Sequence, residues 1–401
     1  MTVDTTADAA ALKDLARQAV QDAEPDLVRL SRDIHARPEL RFEEHQASAW
    51  AAQLLEDRGF AVERGVGDVA TAFEATAGDG DLVLALCAEY DALPGIGHAC
   101  GHNLICASSL GAGLGLAAVA DRLGITVKVI GTPAEEGGGG KVLLLDAGVF
   151  DGVHAALMAH PTPGGVDLLD MGQVMLAAIH LEVEYQGRAA HAAANPHEGV
   201  NALDAAVVAQ TALGLLRQQV RDGDRFHGFV RHGGEAANVI PERAVLDYIV
   251  RSTTLDAAQA LEARVRRCFE AGALATGATV DIRQMAPPYS HIEADRDLTR
   301  FYGANARALG RAPFEVPPGL NPGGASTDMG NVSMALPSIH PSFGIPGATV
   351  MPHHQDFAAA CATPDADASA IFAATALAWT AVDAASDDPV RQRLLRGERS
   401  V

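Results

Sequence analysis

The sequence predicts an α/β protein with two domains, the larger built on a mixed, mostly parallel sheet. Apolar runs alternate with helical segments from residue 69 to residue 159, which is typical of βαβ units in a parallel sheet. Between residues 177 and 284 the predicted order changes to β-α-β-β-α-β, the ferredoxin-like unit. We therefore expect a small domain at 175–290, inserted into a larger domain formed by 1–174 and 291–401.

The elements of the larger domain follow from local patterns. Helical periodicity covers 9–58 and is interrupted at Pro38. Short apolar runs bounded by turn residues predict buried strands, and longer Ala-, Leu- and Gly-rich stretches between them predict helices. The predicted strands are 69–76, 82–89, 126–131 and 155–159, the predicted helices are 104–123 and 139–147, and segments 295–309, 333–340 and 368–384 complete the domain.

The inserted domain is predicted from a change of period. Segment 177–185 alternates apolar and polar residues, as a half-exposed strand does. Pro287 and Pro288 mark the exit from the domain, because proline ends regular structure. The predicted strands are 177–185, 226–231, 244–253 and 279–284, and the predicted helices are 199–219 and 255–275.

Composition excludes several classes of function. Of the 401 residues, 48% are hydrophobic and 20% are charged, a balance typical of globular enzymes. A net charge of -21 argues against nucleic acid and anionic membranes as partners. The most apolar predicted helical stretch, 110–120, is too short to cross a bilayer. The first residues lack a basic start and an apolar core, and the 5 cysteines lack paired spacing, so we expect a cytoplasmic location.

The most informative segment is 88–103, which follows the apolar run 82–87. Sites in open parallel sheets lie beyond the carboxyl ends of the strands, so its polar side chains are expected to converge there. Thiolate, imidazole and carboxylate groups together favour zinc. Burying so many polar groups without a metal would be costly, and we predict that Cys100 and His102 are ligands. The potential ligands and their partners are Glu89, Asp91, His98, Cys100 and His102.

Two adjacent acidic residues open a glycine-rich loop after the predicted strand 126–131. Neighbouring side chains of an extended loop point in opposite directions, so one of Glu135 and Glu136 could bind metal while the other faces substrate. The alternative is that both are solvated surface acids. The glycines that follow do not form a phosphate-binding loop, because Val142 stands where that motif requires Ser or Thr.

Histidines supply the remaining candidates, and their surroundings leave alternatives open. His160 follows the predicted strand 155–159, where a ligand and a structural histidine fit the pattern equally well. Adjacent histidines seldom both bind one ion, so His353 and His354 are expected to be one ligand and one neighbour. His191 lies in the small domain, where a surface turn is the simplest interpretation.

Taken together, these motifs resemble peptidase family M20, which contains aminoacylases, dipeptidases and glutamate carboxypeptidases. The Cys-Gly-His segment at 100–102 is similar to the amidohydrolase branch. Segments 88–103 and 131–141 resemble the group that contains p-aminobenzoyl-glutamate hydrolases and β-alanyl-lysine dipeptidases. Further matches lie at 35–40, 187–193, 236–241 and 325–331.

The resemblance implies a metal-dependent amidohydrolase or dipeptidase that cleaves the amide bond of a small N-acyl amino acid or dipeptide. It implies two divalent metal ions, with zinc favoured over manganese or cobalt. One of the protein ligands, Cys100, would bridge the two ions. The implied ligands are Cys100, His102, Glu136, His160 and His353.

The resemblance also implies roles for residues that do not bind metal. Glu135 would be the general base, and Asp91 would orient a ligand from behind. The inserted domain would serve as a lid and dimerisation domain and would supply His191, Asn238 and Arg251 to the substrate. In relatives the matching histidine reaches the neighbouring subunit's site, so a homodimer is implied.

Three alternatives remain open. The substrates could be N-carbamoyl amino acids, which relatives also hydrolyse. The chain could be a non-catalytic metal-binding partner of an active homologue, although Glu135 argues against this because a metal store needs no general base. A thiol redox sensor built on Cys100 would lack a resolving cysteine, because Cys106 is expected to be buried on the following helix.

Overall fold

The computed structural model describes residues 5–170, 175–316 and 324–400. The chain divides into two compact units. The larger lies within 1–174, 292–323 and 328–401, and the smaller comprises 175–291 together with 324–327. The smaller unit therefore differs from the predicted insertion by residue 291 and by the short segment 324–327, which is remote from it in sequence.

Helices and strands alternate through the described residues. The helices are α1 (Thr5–Ala36), α2 (His45–Asp57), α3 (His102–Ala117), α4 (Ala120–Leu123), α5 (Gly140–Asp146), α6 (Ala202–Leu216), α7 (Leu255–Thr276), α8 (Arg296–Ala308), α9 (Met329–Ala335), α10 (Gln355–Ala360), α11 (Pro364–Ser386) and α12 (Asp388–Leu395). The strands are β1 (Ala61–Arg64), β2 (Phe73–Ala77), β3 (Leu82–Ala88), β4 (Ile125–Gly131), β5 (Ala155–Leu157), β6 (His160–Pro163), β7 (Leu168–Asp170), β8 (Ala177–Gln186), β9 (Arg225–His232), β10 (Arg243–Ser252), β11 (Thr279–Gln284), β12 (Phe314–Val316), β13 (Ser338–Ile339) and β14 (Ser342–Ile345).

The main sheet of the larger unit has the strand order β1-β2-β4-β3-β5-β13. The pairs from β4 to β13 are parallel, while β1, β2 and β4 pair antiparallel. Six of the seven residues of β3 are buried, as expected for a strand covered by helices on both faces. The predicted α/β class with a mixed, mostly parallel sheet is confirmed.

A second sheet of the larger unit, β12-β7-β14-β6, was not predicted from the sequence. Its strands have only three or four residues, too few to show a period. The strand predicted at 155–159, after which His160 was expected, is shorter than predicted, because β5 ends at Leu157 and His160 begins β6. The backbone N–H of His160 donates to Pro341 O at 2.9 Å, which ties the start of β6 to the segment after β13.

The smaller unit has the predicted β-α-β-β-α-β order and one antiparallel sheet, β11-β8-β10-β9. Alternate residues of β8, such as Leu181 and Val183, belong to the core, against which α6 and α7 pack. The intervening Glu182 and Glu184 lie on the opposite face, where both pair with Arg283. The two-residue period of the strand thus separates an apolar from a charged face. The role of the smaller unit as a lid or dimerisation domain stays a prediction.

Helix α11 is the one described helix that is long and apolar enough to span a membrane. Its start follows from its sequence, because Thr363 caps it through Ala366 N at 3.3 Å and Pro364 occupies its first turn. Within the protein, 78% of its most apolar window is buried, and the helix packs against α1, α3 and α8. Its apolar character is therefore weak evidence for a membrane span.

Candidate active site

A sharp turn after β3 positions the first candidate ligands. Gly101 has φ 79°, a conformation that favours glycine, and a Cβ there would lie 2.5 Å from Pro161 Cγ. Glycine is thus required both by backbone conformation and by close packing. The turn ends in α3, and it brings Cys100 Sγ and a His102 ring nitrogen within 4.8 Å of each other and of a ring nitrogen of His160.

Two groups of potential ligands share Cys100. The first contains Cys100, His102 and His160, and the second contains Cys100, Glu136 and His353, with the ligand atoms of each group within 4.8 Å of one another. Cys100 Sγ lies 3.4 Å from His160 Nε2, and His353 Nε2 lies 3.1 Å from Glu136 Oε1. The structure therefore brings all five predicted ligands together, with Cys100 common to both groups.

The surroundings of His102 fit a metal ion. Its Nδ1 donates to Asp91 Oδ1 at 2.9 Å, whereas its buried Nε2 makes no hydrogen bond within the part of the chain that the structure describes. A carboxylate behind a ligating histidine fixes the ring and aims the other nitrogen at the ion. Asp91 Oδ2 also accepts from Glu136 N at 2.9 Å, so one carboxylate positions two candidate ligands.

Electrostatics at Cys100 also favour a cation. Burial and the Glu136 carboxylate raise the pKa of the Cys100 thiol well above its ordinary value. Burial alone would lower the pKa of His102, but the Asp91 and Glu89 carboxylates outweigh it and raise that pKa. A divalent cation reverses such a preference, because it stabilises the thiolate and the neutral imidazole. The donor set and the orphaned nitrogen together fit a divalent metal.

The adjacent histidines near the C-terminus have different surroundings. His353 has φ 70°, its backbone N–H donates to Ala99 O at 2.8 Å, and its ring reaches Glu136. His354 instead caps α10, where its Nδ1 accepts from Asp356 N at 3.1 Å. The structure therefore places His353 in the ligand cluster and His354 outside it, and the ligand role of His353 stays a prediction.

Glu135 lies beside the two groups that share Cys100, and its carboxylate also lies within 4.8 Å of ligand atoms of His102 and Glu136. Its Oε2 is 3.9 Å from His102 Nε2, and the residue is 8% exposed. Burial, followed by the Glu89 and Glu136 carboxylates, raises the pKa of Glu135 well above its ordinary value. A carboxyl group with a raised pKa can accept a proton from water and return it to a leaving group.

Comparison with known proteins identifies the family of this chain. The model of Peptidase family M20/M25/M40 matches residues 85–375. The chain belongs to this family. Xaa-Arg dipeptidase of Mus musculus is 40% identical over 387 residues, which are 93% of this chain and 88% of that protein. The predicted family is confirmed, and this M20 peptidase is a metal-dependent hydrolase of amide or peptide bonds.

Two further proteins extend the comparison. One of the subunits of p-aminobenzoyl-glutamate hydrolase from Escherichia coli (strain K12) is 36% identical over 267 residues, 61% of this chain and 55% of that protein. A dinuclear metal-binding peptidase of family M20 from Bacillus subtilis has a solved structure with a TM-score of 0.70 and 25% identity. The match covers 92% of this chain and 99% of that chain, so the shared fold extends over nearly the whole molecule.

Sequence reasoning missed a buried ion pair behind the candidate ligands of this M20 peptidase. Lys141 is fully buried, and its Nζ lies 2.5 Å from Glu89 Oε1 and 2.6 Å from Asp328 Oδ1. Burial lowers the pKa of Lys141, but Asp328 and Glu89 outweigh it and raise that pKa. Oxygens of Glu89, Glu135 and Asp328 lie within 4.8 Å of one another. The ammonium group therefore neutralises part of a dense cluster of carboxylates.

A second missed residue is His340, which directly follows β13. It is 5% exposed, its ring lies 5.6 Å from that of His160, and neither ring nitrogen hydrogen-bonds to any described residue. Burial and the neighbouring His160 lower the pKa of His340 to about 3, so the ring is neutral. The available signal was its position after an apolar strand, the same signal that identified Glu89.

We expect Lys141→Met to destabilise the larger unit strongly. The substitution leaves the Glu89 and Asp328 carboxylates buried without a counter-charge, which typically costs about 3–5 kcal/mol. The free energy of unfolding in urea, measured with metal chelated, gives the loss. Lys128→Met is the matched control, because Lys128 pairs with Glu74 at 2.9 Å near the surface and should lose about 1 kcal/mol or less. Equal, small losses in both variants would contradict this account of Lys141.

The three predicted substrate-binding residues all lie in the smaller unit. His191 is exposed, and its Nδ1 accepts from Ala193 N at 3.2 Å and from Ala194 N at 3.0 Å. The ring proton therefore resides on Nε2, which is able to donate. The adjacent Ala192 N donates to Asn238 O at 2.9 Å, which holds the two loops together. Arg251 donates to Ser326 Oγ at 2.7 Å, so segment 324–327 is tied to β10.

Proposed function

We propose that this M20 peptidase is a dinuclear zinc dipeptidase that acts on dipeptides with a basic C-terminal residue. The observation that supports the reaction is the pair of ligand groups that share Cys100, with Glu135 beside them. The substrate class is supported by the Xaa-Arg dipeptidases of Mus musculus and Homo sapiens, which are 40% and 38% identical and each match 93% of this chain. A net charge of -21 also favours the approach of cationic substrates.

Zinc is proposed because the donors combine a thiolate with imidazoles and carboxylates. Cys100, His102 and His160 would hold one ion, and Cys100, Glu136 and His353 the other. When bound, such a pair of ions polarises the scissile carbonyl group and lowers the pKa of a water molecule.

Side chains of the protein perform and support the proton transfers. Glu135 accepts the proton of the attacking water and returns it to the leaving amine. Asp91 keeps the His102 ring and the Glu136 backbone in place through its two hydrogen bonds. In the proposed homodimer, the Nε2–H group of the partner subunit's His191 donates to the carbonyl oxygen of the scissile amide, which gains negative charge during the reaction. Asn238 and Arg251 bind the substrate carboxylate.

A substrate panel tests this proposal. An Ala-Arg dipeptide should have the highest kcat/KM in an amine-release assay, and an Ala-citrulline dipeptide, which has a similar shape without the charge, should fall about tenfold or more below it. Activity should disappear with chelator and return with zinc. Preference for p-aminobenzoyl-glutamate would favour the second candidate function, which the 36% identity to the Escherichia coli hydrolase supports. Preference for N-carbamoyl amino acids, or no turnover of any substrate with full metal loading, would contradict the proposal.

A mixing experiment tests the proposed homodimer. His191→Ala and Glu135→Gln chains, each inactive alone, should regain activity together because one site of each heterodimer has both residues intact. Random exchange gives about half heterodimers with one working site each, or roughly a quarter of wild-type sites. Each variant mixed with itself is the control. No recovery, after mass measurement has shown that the chains exchanged, would mean that His191 does not act across subunits, as would an active monomer.

A further inference from the structure

Residues 39–44, just before α2, contact the two loops that carry the acidic residues of the active site. Glu39 O accepts from Ala92 N at 2.8 Å, directly after Asp91. Arg41 Nη1 donates to Gly137 O at 3.1 Å, directly after Glu136. Residues 39–44 therefore contact the loop after β3 and the loop after β4, although both are distant in sequence.

Within this segment, Glu44 makes the most buried contact. Its side chain is fully buried, Oε1 accepts from Ala134 N at 2.9 Å, and Oε2 accepts from Thr71 Oγ1 at 2.9 Å. Burial and the neighbouring Asp91 carboxylate raise the pKa of Glu44 to about 7. A buried carboxylate is unfavourable unless its hydrogen bonds compensate, so the position is costly for a residue without a role.

The partner of Glu44 has an unusual backbone conformation. Ala134 has φ 60°, in the left-handed region that residues with a side chain rarely adopt. The loop closes tightly behind it, because Gly138 N donates to Ala134 O at 3.1 Å and a Cβ on Gly138 would lie 2.6 Å from Ala134 Cβ. Ala134 immediately precedes Glu135, so its dihedral angles set the direction in which Glu135 and Glu136 leave the loop.

We propose that Glu44 is a positioning residue: its carboxylate holds Ala134 in the left-handed conformation and so aims Glu135 at the reacting atoms. This inference rests on the proposed function, in which Glu135 is the general base. Without Glu44, the N–H of Ala134 loses its acceptor, and the strained conformation keeps only the Gly138 N–H to Ala134 O hydrogen bond. The loop then populates other conformations in which Glu135 is misplaced, and misplacement by about 1 Å can cost up to 10²-fold in rate.

The test compares Glu44→Ala, Glu44→Gln and the exposed neighbour Glu43→Ala as a matched control. For Glu44→Ala we expect kcat per metal-loaded site to fall about tenfold to a hundredfold, with KM and the metal content retained. Glu44→Gln should keep more of kcat, because its amide oxygen still accepts from Ala134 N–H. Adding Ala134→Gly to Glu44→Ala should restore part of the lost kcat, because glycine adopts the left-handed conformation without strain.

A merely structural role would give a different pattern. Glu44→Ala would then lower the melting temperature and the metal content while kcat per loaded site stayed unchanged, and Ala134→Gly would restore nothing; either result overturns the proposal. If Glu44→Ala does not fold, Ala134→Val raises the strain with Glu44 in place and should lower kcat, and an unchanged kcat overturns the proposal. Glu135→Gln in the same assay separates the two claims, because full turnover in that variant refutes Glu135 as the base without reference to Glu44.

Discussion

Glu135→Gln is expected to keep both metal ions and to lose at least ~10²-fold in kcat, the usual cost of removing a general base. The amide has nearly the same shape as the carboxyl group but cannot accept the proton of the attacking water. Burial and the neighbouring carboxylates raise the pKa of Glu135, which suits a group that takes up and returns a proton. Mass spectrometry of one preparation gives its metal content, and an activity assay of the same preparation gives kcat.

The adjacent acid provides the matched control for Glu135. Glu136 lies 3.1 Å from His353 Nε2 and shares a ligand group with Cys100, so Glu136→Gln should lose metal and activity together. If metal and rate instead fall together in Glu135→Gln and separate in Glu136→Gln, the two roles are reversed.

Cys100→Ser is expected to lower the occupancy of both metal positions and to reduce activity in proportion. The thiol belongs to both ligand groups, and an alcohol is a poor substitute for a thiolate on zinc. Metal affinity should fall by more than the ~10–100-fold that is typical when a residue hydrogen-bonded to a metal ligand is lost. Thiol alkylation gives an independent measurement, because Cys100 should be protected with metal bound and labelled after chelation.

Cys268→Ser is the control for that experiment, since Cys268 is half-buried on α7 in the smaller unit and belongs to neither ligand group. Full metal loading and a normal rate in Cys100→Ser would remove Cys100 from the ligand set. Loss of one ion with retention of the other would show that the thiolate does not bridge.

Elements with strong local signals could be predicted from the sequence. Helix α7, expected at 255–275, occupies Leu255–Thr276 because Thr254 caps its start and Gly277, with φ 81°, ends it. Strands β3 and β4 differ from prediction by one residue at one end, because β3 is a continuous apolar run and β4 alternates apolar with polar residues before it ends at Gly131. The sheet β12-β7-β14-β6 was missed because strands this short are specified by their partners rather than by their own residues.

At the active site too, residues with a local signal could be predicted, and residues defined by distant partners could not. The five candidate ligands and Glu135 could be predicted because they lie in dense motifs that resemble a family. Lys141 was missed because its partners are 52 and 187 residues away, and Glu44 because its contact with Ala134 spans 90 residues. A lysine after four glycines gives no local sign that it will be buried between two carboxylates. Such pairings follow from the fold and not from the spacing of residues.

Anomalous diffraction at the zinc edge from crystals of the metal-loaded protein tests the central claim most directly. We expect two peaks, each about 2.3 Å from Cys100 Sγ. One should contact His102 and His160, the other Glu136 and His353, and Glu135 should be bound to neither. A single ion, or two ions of which only one contacts Cys100, would contradict the bridged site on which the proposed reaction rests.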